Sequence, residues 1–145
     1  MTPRDPSRPA PLEPQQGLAE IGTVIAGADR AGVVVELVIE GDPRPLAPGL
    51  DLTAYRIVQE ALTNTVKHAA PAHATVRIRY EADALDLDIV DDGSRTDRER
   101  DATGGHGLIG MEERVRLYGG DFAAGPRTPT GFRIQVRLPL QAAAG

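Results

Sequence analysis

Two adjacent stretches of the chain alternate between apolar and polar residues with a period of two. They are TVRIRYE at positions 75–81 and LDLDIVD at positions 85–91. In a β-strand this period places the apolar side chains on one face, here Val76, Ile78, Tyr80, Leu85, Leu87 and Ile89. Each strand is therefore predicted to be half buried, and the short EADA connection between them predicts an antiparallel hairpin.

Other segments predict helices and further strands around this hairpin. Apolar residues at helical spacing predict a short helix over 18–28 and a helix over 108–118, which Gly119-Gly120 would end. A long helix is predicted to start with Asp51 as its N-cap and to end before Pro71. Strands are predicted at 33–39 and 131–138, with a short strand near 121–124.

Strands with one buried face need helices to cover that face. The predicted order of elements indicates an α/β (α+β) two-layer sandwich, with a mixed, mostly antiparallel sheet covered on one face by helices. The long helix offers a broad apolar face for this purpose: Tyr55, Val58, Leu62, Thr65, Val66 and Ala69. Residues 17–140 are predicted to form this domain, between a flexible proline-rich tail or linker at 1–16 and a short tail at 141–145.

Charge and composition exclude several classes of function. The net charge of −5 argues against a broad surface for nucleic acid or anionic membrane, because phosphate groups are neutralised by clustered Lys and Arg. The absence of Cys excludes a disulfide framework, a thiolate metal site and a Cys nucleophile. No apolar run is long enough to span a bilayer, so the chain is expected to be soluble and cytoplasmic, whether or not its parent protein is membrane-bound.

Four polar residues of the long helix lie on one stripe, opposite its apolar face: Glu60, Asn64, Lys67 and His68. Taken alone, such a stripe is typical of a solvated helix face. Asparagine has a poor helix propensity because its amide competes for backbone hydrogen bonds, and this favours a function for Asn64. A carboxamide oxygen is a hard ligand for Mg²⁺, Lys67 can meet phosphate as a point charge, and Glu60 can polarise an attacking group.

The second predicted hairpin strand ends in a carboxylate. On the period-two pattern Asp91 lies on the same face as Ile89, so its side chain is predicted to point towards the core. A buried carboxylate needs hydrogen-bond donors, and an exocyclic amine such as that of adenine would be suitable. Gly93 would let the backbone approach a flat base closely. The alternative is an ordinary Asp-Gly turn, in which the carboxylate binds the local backbone.

The sequence GGHGLIGM at 104–111 contains G-x-G-x-x-G at Gly105, Gly107 and Gly110. A dinucleotide-binding fold needs a strand directly before this pattern, and a protein kinase needs V-A-I-K, H-R-D and D-F-G motifs; the chain has none of these. What remains is a glycine loop that opens a helix, where backbone N–H groups and the helix dipole attract phosphate. A flexible loop without a ligand is the alternative for this loop in isolation.

Taken together, these residues resemble the ATP-binding catalytic domain of bacterial two-component sensor histidine kinases, within the GHKL ATPase superfamily. The resemblance runs from about Leu12 to Leu140 and is strongest for the subfamily whose kinases partner helix-turn-helix response regulators. YRIVQEALTNTVKHA (55–69) is similar to the N box and IVDDG (89–93) to the first glycine box. GGHGLIGMEERV (104–115) is similar to the second glycine box, and TGFRIQVRLPL (130–140) to the closing strand.

The resemblance implies a role for each matching residue. Asn64 would hold Mg²⁺, and Glu60 would be the catalytic residue that orients or activates the phosphate acceptor. The remaining residues would contact ATP: Lys67 and His68 near the phosphates, Asp91 at the adenine amino group with Gly93 beside the ring, Gly105, Gly107 and Leu108 at the lid end of the pocket, and Thr130 at its adenine end. Residues 94–106 would form the ATP lid. Arg95 and Pro129 stand where the family usually has glycine.

The resemblance also implies a histidine protein kinase that uses ATP and Mg²⁺. Such kinases transfer phosphate to a histidine, followed by an acidic residue, on a separate dimerisation domain, and a response regulator is the indirect partner. The histidines here are His68, His73 and His106, none with an acidic residue after it. The chain is therefore expected to be the catalytic domain alone, with little autophosphorylation. The alternatives are an anti-sigma or serine-kinase switch protein of the same fold, and a nucleotide-binding module without turnover.

Overall fold

The structure, a computed structural model, describes residues 16–93 and 106–140. Within these ranges a 3-10 turn (Leu18–Glu20) precedes three helices: α1 (Ile21–Arg30), α2 (Pro48–Ala69) and α3 (His106–Leu117). The strands are β1 (Val33–Gly41), β2 (Ala72–Tyr80), β3 (Ala84–Asp91), β4 (Asp121–Pro126) and β5 (Phe132–Pro139). The predicted tails and the predicted lid lie outside the described residues, except for Gln16 and His106.

The five strands form one sheet in the order β1-β2-β3-β5-β4. β1 and β2 pair in parallel, because α2 carries the chain back to the other end of the sheet between them. The β2–β3, β3–β5 and β4–β5 pairs are antiparallel. The predicted mixed, mostly antiparallel sheet is thereby confirmed, as is the predicted hairpin between β2 and β3.

The core lies between the sheet and the helices, and it follows the predicted alternation. Burial along β3 and β5 has a period of two, with Leu87 and Val136 nearly inaccessible on the inner face. α2 packs its apolar face on the sheet, and Met111 and Val115 of α3 are fully buried beside it. Burial on one face only of the sheet confirms the predicted two-layer sandwich.

The outer face of the sheet carries charged side chains that pair across neighbouring strands. The shortest cross-strand ion pairs are Arg79–Glu40 at 3.1 Å, Arg133–Asp88 at 2.8 Å and Arg137–Asp86 at 3.0 Å. These pairs link β1 to β2 and β3 to β5, and β4 adds Asp121 opposite Arg137. Because these side chains are at least partly exposed, solvent screens each pair and limits its contribution to stability.

The prediction that Asp51 caps α2 is wrong. The helix begins at Pro48, whose fixed φ suits the first helical position and whose missing N–H is not needed there. The carboxylate of Asp51 instead accepts a hydrogen bond from the backbone N–H of Leu18 at 2.9 Å. Gly17 lies so close that a Cβ there would fall 2.0 Å from Asp51 Oδ2. Asp51 thus ties the N-terminal turn to the start of α2.

The end of α3 also differs in part from the prediction. Gly119 (φ 75°) and Gly120 end the helix as expected, and their N–H groups bond the carbonyls of Arg116 and Val115 in a Schellman motif. Tyr118, predicted at a core position, lies beyond the last helical residue and is 38% exposed. A Cβ on Gly49 would lie 2.5 Å from the Tyr118 hydroxyl. The end of α3 therefore lies over the start of α2.

Candidate active site

α2 and the start of α3 bring three of the predicted site residues together. Glu60 and Asn64 are one turn apart on α2, so their side chains share one face. A Cβ on Gly107 would lie 2.7 Å from Glu60 Oε1 and 3.5 Å from Asn64 Nδ2. A glycine is therefore the residue that lets α3 begin here without displacing the Glu60 carboxylate.

The amide nitrogen of Asn64 is inaccessible to solvent and has no hydrogen-bond partner among the described residues. A buried donor without an acceptor is unfavourable by about 1–3 kcal/mol, and native proteins rarely leave one unsatisfied. The nitrogen lies beside Gly107 at the N-terminal end of α3, where backbone N–H groups also favour a negatively charged ligand. This arrangement suits the oxygen atoms of a bound phosphate, which are strong acceptors.

Asp91 is buried at the end of β3, as the alternation predicted, with a relative exposure of 4%. Its Oδ2 accepts a hydrogen bond from the Thr65 hydroxyl at 3.1 Å. Its Oδ1 accepts one from the backbone N–H of Gly93 at 3.0 Å. Both interpretations of the sequence thus hold in part: the carboxylate points into the core, and it also binds the local backbone.

Close packing explains two glycines around this carboxylate. A Cβ on Gly93 would fall 2.3 Å from the Cβ of Ala69 at the end of α2. Gly131 has a φ of 106°, and a Cβ there would fall 2.1 Å from the carbonyl oxygen of Asp91. Gly93 is thus required by protein packing, and its predicted place beside an adenine ring stays a prediction.

The connection between β4 and β5 attaches to the end of β3. The Thr130 hydroxyl donates to the carbonyl oxygen of Asp92 at 3.3 Å, and Arg127 donates to the carbonyl oxygen of Asp91 at 3.3 Å. The structure therefore brings Thr130 next to the Asp91–Gly93 segment, although its hydroxyl contacts backbone and the residue is exposed. Its role at the adenine end of the pocket stays a prediction.

The other predicted site residues are less closely grouped. Lys67 is exposed and lines the groove between α1 and α2, while His68 is half-buried. Leu108 is buried at 8% exposure and belongs to the core. Gly105 lies outside the described residues. The nucleotide-binding roles of these four residues stay predictions.

Sequence reasoning missed Thr65 and Gly131. The sequence predicts Thr65 on the apolar face of α2, which is where it lies, but its hydroxyl contacts a buried carboxylate there. A threonine on an otherwise apolar helix face was the available signal, since a buried hydroxyl needs a partner. For Gly131 the signal was its position at the start of a strand, where glycine often marks a close backbone approach.

Comparison with known proteins identifies the family. Residues 49–142 match the family described as histidine kinase-, DNA gyrase B- and HSP90-like ATPases. The sensor histidine kinase YxjM of Bacillus subtilis is 38% identical over 113 residues, which are 77% of this chain and 27% of YxjM. The sensor histidine kinase NarS of Mycobacterium tuberculosis is 33% identical over 141 residues, which are 92% of this chain and 32% of NarS. The chain thus spans a third or less of the length of these curated relatives.

Solved structures share the fold. The histidine kinase AdeS of Acinetobacter baumannii superimposes with a TM-score of 0.66 at 14% identity, over 86% of this chain and 64% of that one. A blue-light activated histidine kinase of Erythrobacter litoralis gives 0.67 at 19% identity, over 86% of this chain and 46% of the other. Among the described residues, none of the helices is long and apolar enough to cross a bilayer.

The family match covers α2, which carries Glu60 and Asn64, and the strand that ends in Asp91. It also covers α3, whose first turn closes on α2 at Gly107. The predicted site residues that the structure brings together, Glu60, Asn64 and Gly107, therefore all lie inside the matched region, and so does Asp91. The chain belongs to the family of histidine kinase-, DNA gyrase B- and HSP90-like ATPases, and its relatives there are sensor histidine kinases.

Proposed function

We propose that the chain binds ATP with Mg²⁺ between α2, the end of β3 and the start of α3, and donates the γ-phosphoryl group to a histidine of a dimerisation domain. The observation that carries this proposal is the buried amide nitrogen of Asn64, beside Glu60 and Gly107, which has no partner in the described part of the chain. The family and the names of its sensor-kinase relatives support the same function. A response regulator would be the next acceptor of the phosphoryl group.

The side chains present fit Mg-ATP. Asn64 would hold Mg²⁺ through its amide oxygen and donate to a phosphate oxygen through its buried amide nitrogen. When bound, Mg²⁺ neutralises charge on the phosphate oxygens. Lys67, His68 and the backbone of Gly105, Gly107 and Leu108 would surround the phosphates, and Asp91, Gly93 and Thr130 the adenine.

Glu60 would act on the acceptor rather than on the nucleotide. Its carboxylate lies one turn before Asn64, where it can accept the proton of an acceptor imidazole and hold that ring in line with the γ-phosphate. Phosphoryl transfer depends mainly on such positioning and on charge neutralisation. The acceptor is proposed to lie on another domain, because none of the three histidines here precedes an acidic residue.

Calorimetric titration with a non-hydrolysable ATP analogue, with and without Mg²⁺, tests the binding half of the proposal. Wild type should bind with Mg²⁺, and Asn64→Ala should lose most of the affinity gained from the metal. Gln59→Ala is the matched control, because Gln59 is an amide residue of the same helix that faces the α1–α2 groove. Equal Mg²⁺ dependence in wild type and Asn64→Ala would contradict the assigned role.

A phosphotransfer assay tests the second half. The chain is mixed with the dimerisation domain of its kinase and radiolabelled ATP, and acid-labile phosphohistidine is measured. Glu60→Gln should lower transfer at least tenfold with little change in nucleotide binding, while Glu113→Gln, an exposed control on α3, should not. Binding without transfer to any domain would favour a nucleotide-binding module, and phosphorylation of serine on a small antagonist protein would favour the switch protein.

A further inference from the structure

Thr65 is a hydroxyl residue buried against a carboxylate that the proposed function assigns to adenine. It is 2% exposed and lies on the sheet-facing side of α2. Its Oγ1 is 3.1 Å from Asp91 Oδ2 and also 3.1 Å from the carbonyl oxygen of Ala61, one turn earlier. A hydroxyl has a single proton, so it donates to one of these two acceptors at a time.

The carboxylate is the stronger of the two acceptors. A hydrogen bond to an ionised group is roughly twice as strong as one between neutral groups, and burial strengthens it further. The Ala61 carbonyl also accepts a backbone N–H hydrogen bond within the helix, as carbonyls in an α-helix do. Donation to Asp91 is therefore favoured, and Thr65 is joined to Asp91 across the α2–β3 interface.

The two oxygens of Asp91 are held from two directions. Oδ2 is bound by Thr65 of α2, and Oδ1 by the N–H of Gly93 just after β3. The terminal torsion of an aspartate is broad when it is unrestrained, and two anchors on different oxygens fix its plane. An ionised carboxylate has about four acceptor positions, so it can bind these protein donors and an amine of a ligand together.

We propose that Thr65 is the positioning residue that aims Asp91 at the exocyclic amine of the base, and that it thereby sets the preference for 6-aminopurine nucleotides. This inference rests on the proposed ATP-binding function and deepens it. Thr130, the threonine that the sequence assigned to the adenine end, donates instead to the backbone of Asp92. Thr65 contributes an orienting contact from α2 to the Asp91 side chain itself.

The test compares ADP with IDP, which carries a carbonyl oxygen where ADP has the amine. Both are titrated by calorimetry into the full 145-residue chain with Mg²⁺. Wild type should prefer ADP, and Thr65→Val should reduce the ADP-to-IDP affinity ratio by about tenfold, mainly through weaker ADP binding. Because the ratio is measured on one preparation, a partly unfolded variant affects both nucleotides equally.

Two further variants separate a positioning role from a structural one. Thr65→Ser keeps the hydroxyl and should restore most of the wild-type ratio, whatever its effect on thermal stability. Thr63→Val is the matched control, because the Thr63 hydroxyl bonds only the carbonyl of Gln59 in the described contacts. If Thr65→Val fails to fold, Thr65→Ala removes the same hydroxyl with a smaller side chain. It should reduce the ADP-to-IDP affinity ratio to the same extent.

The possible failures are distinguishable. If wild type binds neither ADP nor IDP, the proposed function is wrong. A different result is that wild type prefers ADP, with the preference lost in Asp91→Ala but kept in Thr65→Val and Thr65→Ala. In that case Asp91 recognises the amine without help from Thr65, and this inference is overturned. In the expected case, adding Thr65→Val to Asp91→Ala changes the ratio no further, because both residues act through one contact.

Discussion

Residue 107 has little room for a side chain, and the group that limits this room is the proposed catalytic carboxylate. A methyl group there would lie 2.7 Å from Glu60 Oε1, well inside contact distance. The obstacle is the mobile end of a side chain, so we expect Gly107→Ala to fold normally and to push the Glu60 carboxylate out of place. Phosphotransfer should fall at least tenfold in the assay described above, because small misplacements of a reacting group have large effects on rate.

Gly110→Ala is the matched control for that change. Gly110 also lies in α3, and a Cβ there would meet no atom within 4 Å. Alanine is favoured over glycine inside a helix, so this variant should raise the free energy of unfolding by about 0.5–1 kcal/mol. Its rate of phosphotransfer should be unchanged. Equal loss of transfer in both variants would show that flexibility of α3, and not the Glu60 carboxylate, is responsible.

Gly131 has a different constraint, because its obstacle is backbone. With φ at 106° and the Asp91 carbonyl 2.1 Å from a Cβ, Gly131→Ala should lower the free energy of unfolding by about 2 kcal/mol or more. Gly125→Ala, in the neighbouring strand with open space around its Cβ, should change it by less than about 1 kcal/mol. Urea denaturation of both variants measures the difference, and similar losses would refute the backbone argument.

Tyr80 gives a prediction about alkaline pH. Burial raises the pKa of its phenol above the ordinary value of 10.0, the nearby charge of Asp51 raises it further, and Arg44 lowers it. The folded state therefore holds this proton more tightly than the unfolded state, and the associated stability is lost as pH rises above about 10. Tyr80→Phe should lose less stability than wild type between pH 9 and 11 in urea denaturation, and an equal loss in the two proteins would contradict this effect.

At the scale of elements, Asp51 connects two segments that are far apart in sequence. Its carboxylate holds the backbone N–H of Leu18, so Asp51→Ala should release the turn before α1 and cost about 1 kcal/mol of stability. Hydrogen exchange should show faster exchange at Leu18 and at the start of α1. Asp29→Ala, an exposed change at the end of α1, should leave those rates unchanged.

The elements themselves were largely predictable, because their signals are local. The alternation in β2, β3 and β5 gave their inner faces, and Gly119-Gly120 gave the end of α3. The predicted start of α2 is wrong, because the helix begins at Pro48 and Asp51 binds the backbone of Leu18, a contact that depends on tertiary structure. The pairing of β1 could not be derived, because a strand rich in valine on both faces does not specify its neighbour or direction.

The site was predictable to the extent that its residues have unusual chemistry for their local position. Asn64 inside a helix and Asp91 at the inner end of a strand both give such signals. The structure has Asn64 within α2 and Asp91 buried, while their roles in binding stay predictions. The contact between Thr65 and Asp91 was not predictable, because it joins residues 26 positions apart through helix–sheet packing. The same applies to Gly93 and Gly131, whose requirement for glycine comes from atoms of other elements.

For the whole molecule, the core outweighs the charged outer face as a source of stability. Leu87 is 1% exposed, and Leu87→Ala should lower the free energy of unfolding by about 2–5 kcal/mol through lost burial and a cavity. Arg79→Ala removes a half-exposed ion pair with Glu40 and should lower it by less than about 1 kcal/mol. In denaturation experiments, the loss of stability caused by Arg79→Ala should be smaller in 1 M NaCl than in 0.1 M NaCl, because salt screens exposed charges. The loss caused by Leu87→Ala should be the same at both concentrations.

The outer-face charges have a second consequence, which concerns the fidelity of assembly. Across the sheet order β1-β2-β3-β5-β4 each strand presents one sign there: Glu40, then Arg77 and Arg79, then Asp86 and Asp88, then Arg133 and Arg137, then Asp121. Native neighbours always have opposite signs. A folding chain that paired β2 with β5, or β1 with β3, would set like charges opposite one another, which is unfavourable. The charges therefore disfavour pairing between strands of like sign, although they would not disfavour β1 beside β5 or β2 beside β4.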